Sequence, residues 1–145
     1  MNIVSESAWI GGIFLKEEGG YDIILKSLAH YKKRLMTLGQ SPELQNTAAM
    51  FASVLNQEAK KIVPEIEKTK EKICHILSGV EKPKSLQEDM PLLEKALACY
   101  QSDIQKAQDT GNEYFLRLVG DLPAAQNRLE QISTAKVRLN QSDYD

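Results

Sequence analysis

The sequence predicts an all-α protein. It reads as an antiparallel four-helix bundle whose two long central helices form a projecting helical hairpin, with a short irregular segment before them. Three observations carry this. Leu, Ala, Glu, Lys and Gln dominate, aromatics make up only 6% and β-branched runs are few, a balance that favours helix over sheet. Apolar residues recur at steps of three and four over most of the chain. Glycine and proline fall between those stripes, where helices stop and restart. With 145 residues, 42% hydrophobic and 26% charged, the chain can bury a core without disulfide or metal staples. It divides into an N-terminal strap, 1–19, and a single helical domain, 20–145.

In the strap, Trp9-Ile10 and Ile13-Phe14-Leu15 flank Gly11-Gly12. Two short apolar runs around a Gly-Gly pair read as a small hairpin or an irregular strap, packed on the helices or on a second subunit. The first helix is expected at 20–38, from Tyr21, Ile24, Leu25, Leu28, Leu35 and Leu38, with Gly39 suited to follow its end. Ser41-Pro42-Glu43 supplies an N-cap, a proline at the first helical position and a first-turn acid. A second helix is therefore expected at 42–78. Its stripe runs through Leu44, Ala48, Phe51, Leu55, Ala59, Ile62, Ile66, Ile73 and Leu77, and Gly79 can end it. Pro64 cannot donate to the carbonyl of Lys60, which predicts a kink, since the stripe continues in phase beyond it.

Ser85-Leu86-Gln87-Glu88 fits a capping box, and a third helix is expected at 85–119. Leu86, Met90, Leu93, Leu97, Tyr100, Ile104 and Ala107 alternate steps of four and three, a coiled-coil-like heptad seam. Gly111 is a weak point in it, and Pro91 leaves the start open between Ser85 and itself. Gly120-Asp121-Leu122-Pro123 breaks the chain again. Leu122, Ala125, Leu129, Ile132, Ala135 and Leu139 then mark a fourth helix at 122–141.

Helices joined by short loops are antiparallel neighbours. Folding the second on the third about the 79–84 loop sets Ile66 against Leu97, Ile73 against Met90 and Leu77 against Leu86, three pairs in one register. In that register the first helix lies along the 44–61 half of the second. The part beyond Pro64 then projects as an arm of about 16 residues per helix, roughly 24 Å long. Ile76, Val80 and Leu92 stay partly wet on it, which favours a homodimer.

Chemistry-bearing patterns are sparse. Cys74, His75, Cys99 and His30 are the only soft metal ligands, and Cys74 and Cys99 fall far apart in the hairpin register, so no metal or cofactor is expected. Ser27 and Lys72 stand three residues before the two histidines, where a di-iron bundle needs glutamate. Phosphate-loop, dinucleotide and nucleophile-elbow motifs are missing, and no catalytic residue is assigned. The net charge of −2 gives no general pull toward nucleic acid. It is unevenly spread, with seven lysines against four glutamates over 60–87 and six basic against ten acidic residues over 88–145. Lysines around the arm tip make Lys68, Lys72, Lys82 and Lys84 the candidate partner contacts.

The expected function is a non-enzymatic helical module for protein–protein interaction or assembly, adaptor- or chaperone-like, that self-associates and binds another protein. The alternative is a small-molecule-binding bundle or an enzyme with a site between helices, where Tyr21, Tyr31, Tyr100 and Tyr114 with His30 can line a pocket. Two cysteines, a Met1-Asn2 start without a basic side chain and apolar runs well short of the roughly 20 residues that span a bilayer point to a cytoplasmic chain with no integral membrane association.

Overall fold

The computed structural model describes residues 9–10, 13–14, 21–38, 42, 49–81 and 83–139, and these are overwhelmingly helical. Five α-helices are present among them: α1 Tyr21–Met36, α2 Ala49–Leu77, α3 Met90–Thr110, α4 Glu113–Val119 and α5 Leu122–Leu139. Within the strap, residues 9–10 and 13–14 are described, and they form two short strands. Strands β1 Trp9–Ile10 and β2 Ile13–Phe14 pair antiparallel, Trp9 opposite Phe14 and Ile10 opposite Ile13. Ser41 and Glu43, on which the predicted restart rests, lie outside the described residues.

Helix α2 runs unbroken through Pro64 and stops where expected. Gly79 takes φ +84, and the Val80 and Glu81 N–H groups donate back to the His75 carbonyl. The predicted third helix is a composite. A 3-10 turn, Pro83–Asp89, precedes α3, so the helix starts beside Pro91 and not at Ser85. Ser85 Oγ donates to Glu81, while Asp89 receives Thr69 and Lys72 from α2. The far end is cut at Gly111, which closes α3 at φ +63, ψ 17. Asn112 then caps α4 by accepting the Tyr114 N–H at 2.9 Å. A left-handed glycine followed by an Asx cap lets the chain stop and restart within two residues.

One core unites the helices. Ile24 and Leu28 of α1, Ile66, Ile73 and Ile76 of α2, Leu93 and Leu97 of α3, Phe115 of α4 and Ile132 of α5 are buried together, with Leu86 of the 3-10 turn. Each large apolar side chain sealed this way stabilises the fold by about 1.5–3 kcal/mol. Of the six zipper residues, Ile66, Ile73, Leu86 and Leu97 are buried, and Leu77 and Met90 pack against the same cluster.

The bare arm is corrected by α1. Lys32 of α1 pairs with Glu67 of α2 at 2.7 Å, and Leu25, Lys26 and Ala29 share a cleft with Glu67, Cys74 and His75. Helix α1 therefore covers the half of α2 beyond Pro64, where the sequence register had it on the other half. Ile76 is buried, while Leu92 is half-buried and Val80 exposed. In the same register Met36 falls level with Val63, so the first turns of α2 run on past the end of α1. Met50, Phe51 and Val54 on those turns are 81%, 58% and 47% exposed.

Candidate functional site

Helix α1 buries two stripes. One is apolar, through Ile24 and Leu28. The other runs Ile23, Ser27, His30 and Arg34 at steps of four, three and four, and all four are buried. Charged and polar groups taken out of water need partners. Ser27 Oγ donates to the Ile23 carbonyl within its own helix at 2.8 Å. His30 and Arg34, one turn apart, both reach Asp103 of α3, which is 2% exposed.

Asp103 Oδ2 gathers three donors: His30 Nε2 at 2.8 Å, Arg34 Nε at 3.1 Å and the Cys99 thiol at 3.6 Å. Cys99 and Asp103 are one turn apart on α3, so both face α1. Tyr100 stacks on the His30 ring at 4.7 Å, and its hydroxyl accepts from Arg128 of α5 at 3.0 Å. On the other side Arg34 Nη1 donates to the Tyr114 hydroxyl at 3.2 Å. Its guanidinium carbon lies 5.5 Å from the Tyr114 ring centre and 5.6 Å from that of Phe115, within cation–π range. Four of the five helices thus meet at one carboxylate network.

The electrostatics favour a protonated thiol. Burial, and then the Asp103 carboxylate, push the Cys99 pKa up to about 12. Burial, with Cys99 close by, also holds the Tyr31 phenol above its ordinary value. A Cys-His-Asp nucleophile needs the imidazole between thiol and carboxylate, with the thiolate form favoured. Here the carboxylate sits between the other two and favours the opposite protonation state.

The second feature is a groove of about 410 Å³ between α2 and α3, reached by Tyr31 of α1. Ile62, Glu65, Lys68 and Lys72 line one wall, and Pro91, Leu92 and Lys95 the other. Two candidate contacts, Lys68 and Lys72, therefore share one groove. Lys68 is exposed. Lys72 Nζ donates to Asp89 at 2.8 Å, Glu88 at 3.2 Å and the Ser85 carbonyl at 3.0 Å. Burial works against its ammonium, yet Asp89 and Glu88 outweigh it and hold its pKa above the ordinary lysine value. Lys72 thus ties α2 to the 3-10 turn. Lys84 stands on that turn, and Lys82 lies outside the described residues.

Of the polar aromatics suggested by the sequence, Tyr100, Tyr114 and His30 join the buried network, and Tyr31 faces the groove. Cys74 and His75 are exposed on α2. Sequence reasoning missed Asp103 and Arg34. The available signal was a pair of i,i+4 polar couples, His30/Arg34 and Cys99/Asp103, set inside apolar stripes.

No protein-family model matches this chain, and neither the curated proteins nor the solved structures give a match. Among the described residues, no helix is long and apolar enough to cross a membrane.

Proposed function

We propose that this chain is a non-enzymatic interaction module that self-associates through the start of α2. The observation that carries the reading is the trio Met50, Phe51 and Val54. They sit on two consecutive turns beyond the end of α1 and expose 81%, 58% and 47% of their surface. Phe51 continues the stripe in which Ala59 and Ile66 are buried and Ile62 is half-buried further along α2, so its exposure reflects where α1 ends. A contiguous apolar patch on a helix face gains about 25 cal/mol per Å² when another helix covers it. Three side chains make a small patch beside the ~1,200–2,000 Å² of a standard interface, so a weak association is expected.

Light scattering across the micromolar range tests this. The expected result is a mass rising from 16.3 kDa toward twice that value, with the substitutions Met50→Ser and Val54→Ser together holding the protein at the lower mass. A chain that stays monomeric throughout, or whose association ignores both substitutions, overturns the proposal.

The groove favours a second reading, the binding of a small molecule. Its volume falls within the ~300–1,000 Å³ of ligand pockets, and Tyr31, Lys68 and Lys95 bring polar groups to walls that include Ile62 and Leu92. A thermal-shift screen separates the readings. A ligand that raises the melting temperature in the parent but not in the Lys68→Glu variant selects the groove.

A further inference from the structure

We propose that His30, Cys99 and Asp103 form a site for one divalent transition-metal ion of the zinc and cobalt class, with water completing its coordination. Imidazole, thiolate and carboxylate are the donors such ions take. The ligand atoms of the three residues already lie within 4.8 Å of one another. Among the described residues no other group of three or more His, Cys, Asp and Glu side chains gathers this way. The site is built on rigid elements: Cys99 and Asp103 on one face of α3, and His30 opposite on α1, its ring held by Tyr100.

Two of the three ligand pairs are close to what an ion requires, and the third, His30 to Cys99, lies within 4.8 Å. Metal bonds of about 2.0–2.3 Å in a tetrahedron hold ligand atoms roughly 3.3–3.8 Å apart. Cys99 Sγ and Asp103 Oδ2 stand at 3.6 Å. His30 Nε2 and Asp103 Oδ2, at 2.8 Å, must open by less than ~1 Å to reach that range. Seating the ion replaces two hydrogen-bonded protons. The thiol proton leaves to solvent as the sulfur–metal bond forms, and His30 passes to its Nδ1–H tautomer, freeing the Nε2 lone pair. Thiolate and carboxylate set two negative charges against the dication and the Arg34 guanidinium, leaving the site with a net charge of +1.

The thiolate and imidazole donors set the selectivity, and Arg34 raises the cost of binding any dication. A carboxylate offers about four acceptor positions, so Asp103 can ligate an ion while keeping Arg34. The guanidinium charge nevertheless opposes any cation held by oxygen alone. Hard ions such as Mg²⁺ and Ca²⁺, which seek oxygen ligands, are therefore excluded, and ions that bond strongly to sulfur and imidazole are admitted.

The test is a titration of the full chain, reduced and stripped by chelator, with Co²⁺ and then Zn²⁺. The expected result is one equivalent of Co²⁺, with sulfur-to-cobalt charge-transfer absorption and the visible bands of a four-coordinate ion, bleached by Zn²⁺. Cys99→Ala and His30→Gln lose the charge-transfer band, Cys74→Ala keeps it, and circular dichroism checks that each variant is helical. A parent protein that shows no such band overturns the proposal. So does a band that vanishes in Cys74→Ala, which places the ion at the surface Cys74-His75 pair. The parent and Cys74→Ala arms decide the matter even where a core variant fails to fold.

Discussion

Replacing Asp103 by alanine removes the acceptor shared by His30, Arg34 and Cys99. Arg34 lies only 8% exposed, so its guanidinium would stay buried without its counter-charge. Breaking a buried ion pair from one side costs about 3–5 kcal/mol, a large share of the ~5–15 kcal/mol that holds a domain together. For 145 residues, an unfolding entropy of ~2.1 cal/mol/K per residue gives ~0.3 kcal/mol/K. The expected fall in melting temperature is therefore roughly 10–16 °C. Asp103→Asn keeps shape and one acceptor, and should fall near the lower end. The double variant Asp103→Leu with Arg34→Met removes both charges and should recover most of the loss, because apolar replacements of a buried pair are often neutral. Calorimetry at neutral pH on the four proteins reads the series. If Asp103→Ala and Asp103→Asn both melt within about 3 °C of the parent, the carboxylate is not carrying a buried charge and the network reading fails.

Three further outcomes follow from the same geometry. With its pKa pushed up to about 12, Cys99 holds ~10⁻⁴ of its thiol as thiolate at pH 8, against ~0.2 for a free cysteine. Greater intrinsic nucleophilicity restores a factor of ~10–50, so a disulfide reagent followed by mass spectrometry should label it roughly 100-fold slower than free cysteine, with exposed Cys74 reacting first. Equal rates at the two positions would contradict the assignment. The same shift sets an alkaline limit. The unfolded thiol releases its proton near 9.0 and the folded one near 12, so above pH 9 the folded state binds more protons and stability falls as pH rises. The loss is at most about 1.4 kcal/mol per pH unit. Urea midpoints of the metal-free protein at pH 8 and 10 should drop further for the parent than for Cys99→Ala. At Gly111 a Cβ would meet no atom within 4 Å, so Gly111→Ala carries only the left-handed backbone penalty of ~1–2 kcal/mol. Gly111→Asn should lose less, and an alanine variant melting with the parent would argue against the φ of +63.

Periodicity made the helices legible because burial of one face repeats with the turn of the helix. The predicted seam of Leu93, Leu97, Tyr100, Ile104 and Ala107 is buried on α3. Ala125, Ile132 and Ala135 of α5 behave likewise. Around the Gly-Gly pair the sequence left a hairpin and an irregular strap open, and the pairing of Trp9–Ile10 with Ile13–Phe14 fits the former. The division of α3 from α4 was less legible, since the apolar phase continues across Gly111 although Gly-Asn-Glu is a stop-and-restart signal in its own right. The placement of α1 was not legible at all. It depends on Lys32–Glu67, His30–Asp103 and Arg34–Tyr114, contacts between residues far apart in sequence, which an apolar count along one helix ignores. For the same reason the buried network escaped notice: its members break the hydrophobic pattern that was being followed.

An all-leucine interface tolerates sliding, because any knob of similar size fits the next hole. Asp103 does not allow this. Moving α1 by one helical turn, about 5.4 Å, would leave the carboxylate facing only one of its two cationic or imidazole partners and would carry the other into apolar surroundings. The two residues one turn apart on α1 act as a pair of teeth that mesh with Asp103 in a single position. Mis-threaded stackings of equal apolar burial are thereby raised in energy relative to the native one.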